Sequence, residues 1–289
     1  MSRKVSKVAK AYPQGAIERV QEIETGILKA IAEVCDQLGI EWFADSGTVI
    51  GAVRHGGFIP WDDDIDIGMR LEDYRLFCDK APELLPAEYG IYTHAQTPNY
   101  PPLWAKVYRK GTRFMSQQML EAGFDQGLFV DVFAYAQLDS DPAQAAKQSR
   151  SLALWQRISY LYYTAHPKLP AGTPCRSLVQ AACVVAHWAA RLFFPPKLVE
   201  AQFNKAVDKG NAQGKWVDVF YPTYGEYDYD TLFPPVMMPF GDMQVPVPRD
   251  THTYLTTMYG DYMQLPPEEE RCAYPPVVLE LGDGINLMA

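Results

Sequence analysis

Paired cysteines are missing from this chain. Its five cysteines, Cys35, Cys78, Cys175, Cys183 and Cys272, are odd in number and form no CxxC. That excludes a disulfide-stapled secreted scaffold and a thiolate zinc site at the usual spacing; reduced, mostly buried thiols are the expectation. Long apolar runs are missing too. The nearest approach, Ser177 to Phe194, contains Gln180, His187 and Arg191, which argues against a bilayer span of ~20 apolar residues. The basic start, Met1 to Lys10, leads into no apolar h-region, so no secretory signal is read there and a cytoplasmic protein is expected. Positive charge is in deficit: 26 Lys and Arg stand against 35 Asp and Glu, a net charge of -9. An acidic surface repels phosphate backbones, which excludes nucleic acid as a bulk partner but leaves room for a local basic pocket. No internal repeat or low-complexity tract occurs.

What is present is a globular composition, 48% hydrophobic over 289 residues. A chain of that length buries roughly 75% of its unfolded surface. Ile17, Val20, Ile23, Ile27, Ile31 and Val34 recur at helical spacing, which predicts an amphipathic helix over 16–38, stopped by Gly39. Short strands are expected over 40–44, 64–68, 90–93, 103–108 and 128–133. Helices are expected over 48–54, 72–85, 141–164, 178–194 and 198–210, and a hairpin edge over 240–247. Asp250 is a good N-cap for a helix over 251–259. The fold class is α+β. The partition is a core over 14–140, a helical section over 141–212, and a mixed section over 213–289 that packs back on the core.

The chemistry concentrates in Asp62-Asp63-Asp64-Ile65-Asp66-Ile67. On a strand, Asp64 and Asp66 project to one side and the isoleucines to the other. Two carboxylates on one face repel unless a hard cation lies between them, and Mg²⁺ takes such oxygen ligands together with water and phosphate. An EF-hand begun at Asp62 fails, because Ile67 stands at the glycine position and Asp73 at the bidentate-acid position. A solvated acidic turn is the blander alternative. Upstream, Ser46-Gly47-Thr48 opens a short helix whose backbone N–H groups suit an anion. Arg54 reads either as a bidentate phosphate contact or as a surface ion pair. Downstream, Asp131 interrupts an apolar strand, and a lone buried carboxylate wants a metal, a cation or a proton.

These residues, in this order, resemble the LicD family, whose domain is shared with fukutin and fukutin-related protein. Asp45 to Gly68 is similar to its signature almost position by position. Leu128 to Phe133 resembles its second motif, although Ala134-Tyr135 follows where relatives often carry proline. Pro239 to Pro248, Tyr254-Leu255, Tyr259 to Met263 and Leu265 to Pro267 resemble its C-terminal motif. Residues 141–212 match no motif of the family. The resemblance implies a nucleotidyltransferase-like fold with a small mixed sheet, flanking helices and an added helical section.

It also implies that Asp64, Asp66 and Asp131 are catalytic and bind one or two Mg²⁺ (or Mn²⁺) ions, Asp131 also taking the proton of the attacking hydroxyl. Gly47, Thr48, Arg54, His55, Trp61 and Lys106 are the candidate substrate contacts. The implied reaction moves a phospho-alcohol from a CDP-activated donor, CDP-choline foremost, to a hydroxyl of a cell-surface glycan or glycolipid such as lipopolysaccharide, releasing CMP. A quaternary ammonium wants an aromatic cage, for which Trp61, Trp104 and Tyr108 are candidates alongside a core-packing role. Tyr259 and Asp261 read equally as acceptor-side or helix-end residues. Transfer of NMP from an NTP, a DxD glycosyltransferase and a non-catalytic glycan-binding module are the competing readings. Residues 178–194 read mainly as a core helix, with peripheral contact at the inner membrane face as the alternative, weakened by the few cations that flank it.

Overall fold

A computed structural model of the chain describes residues 12–167, 169, 172–209, 211–268, 271 and 275–289. The basic start over 1–10, Gly210 and Cys272 lie outside the described residues. The elements run, in chain order, α1 (Ala16–Leu38), β1 (Trp42–Ala44), α2 (Ser46–His55), β2 (Asp66–Arg70), α3 (Leu71–Leu84), β3 (Tyr89–Tyr92), β4 (Ala105–Arg109), β5 (Arg113–Met115), α4 (Gln117–Ala122), β6 (Phe129–Gln137), α5 (Pro142–Tyr163), α6 (Arg176–Phe193), α7 (Pro196–Val207), β7 (Trp216–Asp218), α8 (Tyr229–Leu232), β8 (Val236–Phe240), β9 (Met243–Val247), α9 (Thr251–Tyr259) and β10 (Val278–Glu280). This is an α+β fold.

The main sheet is small and mixed, in the order β1-β2-β6-β4-β3. Its centre is β6, nine residues long and buried over its first seven. β2 runs parallel to β6 along one side, with Asp66 opposite Asp131. On the other side, β4 pairs antiparallel with the first half of β6 and β7 with the second. The 213–289 section therefore supplies a strand to the main sheet. It also returns to the core through α9, which contacts α2.

Helix α1 ends as its sequence signals, with Gly39 at φ 66° and its N–H bonded to the last turn. Its buried stripe runs through Ala16, Val20, Glu24, Ile27, Ile31 and Val34, a spacing of three and four residues. The stripe packs against β4, β6 and α3. One member is a carboxylate: Glu24, 1% exposed, sits where a hydrophobe is expected.

Several expectations shift by one to four residues at their ends. One shift matters for the site. The strand expected over 64–68 begins only at Asp66, so Asp64 precedes it in an extended segment. The cause is the pairing of β2: Asp66 is the first of its residues to find a partner in β6, and Ala44 pairs with Ile67. Of the four described cysteines, all are free, but only Cys35 is buried, and Cys175 is exposed.

Candidate active site

Strand alternation puts Asp131, Phe133 and Tyr135 of β6 on one face. The parallel register places Asp66 beside Asp131 on that face. A cavity of about 270 Å³ opens there, lined among others by Asp64, Asp66 and Asp131. Its aromatic wall comes from Trp104, Phe133 and Tyr135 of the core together with Tyr221, Tyr224, Tyr227 and Tyr259 from the C-terminal section. Tyr221 and Tyr224 stack with ring centroids 5.0 Å apart.

Asp131 is 7% exposed and is held through one oxygen. Its Oδ1 lies 2.7 Å from Lys106 Nζ and accepts from Trp104 Nε1 at 2.5 Å. Among the described residues Oδ2 has no protein partner. The antiparallel register of β4 on β6 sets Lys106 opposite Asp131, which brings the ammonium to this carboxylate. Lys106 is 5% exposed and is absent from the cavity wall. Its charge neutralises Asp131.

Asp62, Asp63 and Asp64 lead from a turn toward β2, and ligand oxygens from all three lie within 4.8 Å of one another. Asp64 thus belongs both to this trio and to the cavity that holds Asp66 and Asp131. The N-terminal region grips the turn: Tyr12 donates to Asp63 Oδ2 at 2.5 Å, and Gln21 Nε2 donates to the Asp62 carbonyl at 2.9 Å. Burial, reinforced by the neighbouring carboxylates, pushes Asp64 and Asp66 well above the usual carboxylate range. The same causes raise Asp62 to about 6. Glu24 is also pushed well up, by burial first and then by Asp64, Asp63 and Asp62, and its Oε2 is buried without a hydrogen-bond partner. A buried carboxylate oxygen left in this state is costly. The donors are all hard oxygens, one of them orphaned, in a nest of like charge; this set fits a divalent cation such as Mg²⁺.

The turn before the acids is fixed by Asp45. This carboxylate, 1% exposed, caps α2 by accepting from Ser46 N at 2.7 Å. It also accepts from Tyr135 Oη at 3.0 Å and from Tyr254 Oη. The hydroxyl from α9 and the hydroxyl from β6 therefore meet on the first residue of the signature. Burial raises Asp45, and these hydrogen bonds work in the opposite direction.

Of the other expected contacts, Gly47 lies against Asp62, whose Oδ2 would be 3.1 Å from an added Cβ. Thr48 is buried and its Oγ1 accepts from Asp66 N at 2.9 Å. It therefore positions β2. Arg54 donates from Nη1 to the Tyr262 carbonyl at 2.8 Å and from Nε to His55 Nε2 at 3.0 Å. Trp61 packs its ring edgewise near His55 and lies 5.7 Å from the Arg271 guanidinium. Arg54, His55 and Trp61 contact one another and do not line the aromatic cavity. Of the three proposed cage residues, Trp104 lines that cavity, while Tyr108 stacks on Tyr92 in a separate cluster.

Sequence reasoning missed Tyr221, Tyr224, Tyr227 and Asp218 in the cavity wall, because they arrive from a distant segment. It also missed Glu24. A signal for Glu24 exists: an acid on the apolar stripe of an otherwise regular amphipathic helix.

A LicD/FKTN/FKRP nucleotidyltransferase domain profile matches residues 39–155. Residues 39–155 of this chain are therefore similar to the nucleotidyltransferase domain of the LicD family. The lipopolysaccharide cholinephosphotransferase LicD of Haemophilus influenzae is 27% identical over 262 residues, covering 85% of this chain and 90% of that protein. The human ribitol 5-phosphate transferase FKRP is 42% identical over 43 residues, 15% of this chain and only 9% of that protein. An uncharacterized protein of Rickettsia typhi is 40% identical over 65 residues, 22% of this chain and 21% of that protein. The matched residues 39–155 include α2, β2 and β6, and with them Asp64, Asp66 and Asp131.

Proposed function

We propose that this protein is a LicD-family phospho-alcohol transferase acting on a glycan or glycolipid, with phosphocholine as the transferred group and a CDP-activated alcohol as donor. The observation that carries the reading is one cavity with two kinds of wall, carboxylate on one side and aromatic on the other. A donor of this class has two matching ends, an anionic diphosphate that travels with a divalent cation and a quaternary ammonium. Aromatic faces attract such an ammonium through the ring quadrupole. The near-complete coverage of the Haemophilus influenzae cholinephosphotransferase supports the same choice.

Asp64, Asp66 and Asp131 would hold the cation, with Asp62 and Asp63 beside it. The cation supplies charge neutralisation on the phosphate oxygens. The chain's own residues do the rest. Asp131 Oδ2 takes the proton of the acceptor hydroxyl as that oxygen bonds to the phosphorus bearing the alcohol; the bond from that phosphorus to the CMP oxygen breaks, and CMP carries away the electron pair. Lys106 and Trp104 fix Asp131 through its other oxygen. The Asp45–Tyr135–Tyr254 contact holds the start of α2 and α9 against β6 while the aromatic wall orients the donor.

Ligand-dependent unfolding tests this without knowledge of the acceptor. A ligand at 100 times its Kd adds about 2.7 kcal/mol of stability. With Mg²⁺ present, CDP-choline should raise the unfolding temperature, and Asp64→Asn/Asp66→Asn should abolish the rise. A rise with CDP-ribitol alone changes the alcohol. A rise with CTP and with neither CDP-alcohol moves the reading to nucleotidyl transfer, and a rise with UDP-glucose alone overturns it.

A further inference from the structure

The helical section carries an apolar face that the protein itself leaves uncovered. On α6, Leu178, Val185, Trp188, Leu192 and Phe193 are 63–74% exposed. At 3.6 residues per turn these five fall in one arc of about 140°. The remaining positions of that arc are Ala181, Ala182 and Ala189, also exposed. The arc therefore contains no polar side chain. The side of α6 that packs inward is the poorer one: its buried residues are His187, whose Nδ1 lies 2.7 Å from the Leu161 carbonyl, and Ala190. A helix that faces its apolar stripe outward presents a binding surface.

The neighbouring helix behaves normally. α7 turns away from α6 by 93° at Pro195 and buries Val199, Phe203, Ala206 and Val207. Among the described residues no single helix is long and apolar enough to cross a membrane. α6 and α7 reach the length and apolar composition of a span only together, and the 93° bend between them favours contact along the surface.

Charge says which occupant. From Pro142 to Val199 the sequence contains no Asp or Glu, yet it contains Lys147, Arg150, Arg157, Lys168, Arg176, Arg191 and Lys197. The whole chain carries -9. Arg176 begins α6, and Arg191 and Lys197 stand at its other end. The fold adds α5 alongside, where Arg150, Leu154 and Arg157 are exposed on one face. Arg150, Arg157, Arg191 and Lys197 have no acidic partner within 4.0 Å among the described residues. A second copy docking through this face would bring two cationic sections together, which like-charge repulsion opposes. An anionic lipid surface complements both features, the apolar face and the local excess of positive charge.

We propose that α6 docks on an anionic lipid bilayer, lying in its surface with Trp188, Leu192 and Phe193 inserted, while the positive charge of the acid-free helical section attracts the anionic headgroups. The inference is independent of the catalytic reading. The few cations visible next to α6 in sequence understate the charge, because α5 adds to it only in the folded chain.

The test is co-sedimentation of the full chain with vesicles of phosphatidylcholine alone or of phosphatidylcholine with phosphatidylglycerol, without nucleotide. Binding should require phosphatidylglycerol and fall with added salt. Val185→Glu/Leu192→Glu should weaken it at least about tenfold. Both side chains are exposed, so the variant should keep the parent's unfolding temperature and its Mg²⁺ response; Trp188→Gln provides a milder second variant. Absence of binding to either vesicle, or binding that neither variant changes, overturns the proposal. So does a concentration-dependent dimer that the double variant dissolves, since that assigns the face to a second copy.

Discussion

Replacing Asp62 by Asn should stabilise the metal-free protein above pH 6 while impairing its use of a divalent cation. Asp62 is held at about 6 by burial and by Asp63. Its ordinary value is 3.8. The native state thus keeps the proton over a range in which the unfolded chain has lost it, so ionising Asp62 costs native stability as pH rises from about 4 to about 6. At 1.36 kcal/mol per pH unit, the gap corresponds to about 3 kcal/mol at pH 8. An asparagine of the same shape has no such cost. Urea unfolding in EDTA at pH 4 should find the two proteins about equal, and at pH 8 the variant should be more stable by up to about 3 kcal/mol. With Mg²⁺ at pH 8 the wild type should regain stability and the variant less of it, because the amide offers the cation no charge. A variant less stable than wild type in EDTA at pH 8, or a gain independent of pH, would refute the electrostatic account of the turn.

Removing Lys106 should show the opposite sign. Lys106→Met leaves Asp131 buried without its counter-ion and should cost about 3–5 kcal/mol in urea unfolding, most of which Lys106→Met/Asp131→Asn recovers. Gly68→Ala should cost about 1–3 kcal/mol, since the added Cβ would lie 2.8 Å from the rings of Phe43 and Tyr135; an unchanged unfolding midpoint would show that the rings can move. Tyr221→Leu should weaken CDP-choline by about 0.5–2 kcal/mol, the value of a cation–π contact, and leave CDP-ribitol nearly unaffected. Calorimetry giving equal losses for both donors would exclude a role for that ring in ammonium recognition.

Much of the local structure can be read from residue order. The three-and-four spacing of Val20, Ile23, Ile27, Ile31 and Val34 marks α1, and Gly39 ends it. Asp250 caps α9 at the expected residue, accepting from Thr253 N. These are decisions of neighbouring residues, made by backbone geometry and a side chain within reach. The 24-residue stretch Asp45 to Gly68 is likewise legible, because its glycines, hydrophobes and acids lie in one continuous segment.

Other features depend on pairing between distant segments. Asp66 and Asp131 are 65 positions apart, and alternation alone says only that each points to one side of its own strand. Their meeting follows from β2 lying parallel to β6 in one register, a choice made by the packing of the whole sheet. The same holds for Lys106 on Asp131, for Tyr254 on Asp45, and for the tyrosines at 221, 224 and 227 that close the cavity. The amphipathic pattern of α6 shows that two faces differ, yet only the tertiary structure decides which face is covered. The sequence by itself determined the segments and the acids they carry, since those rest on local geometry. Tertiary packing decided which of them share a cavity, because sheet register and helix docking minimise the free energy of the chain as a whole.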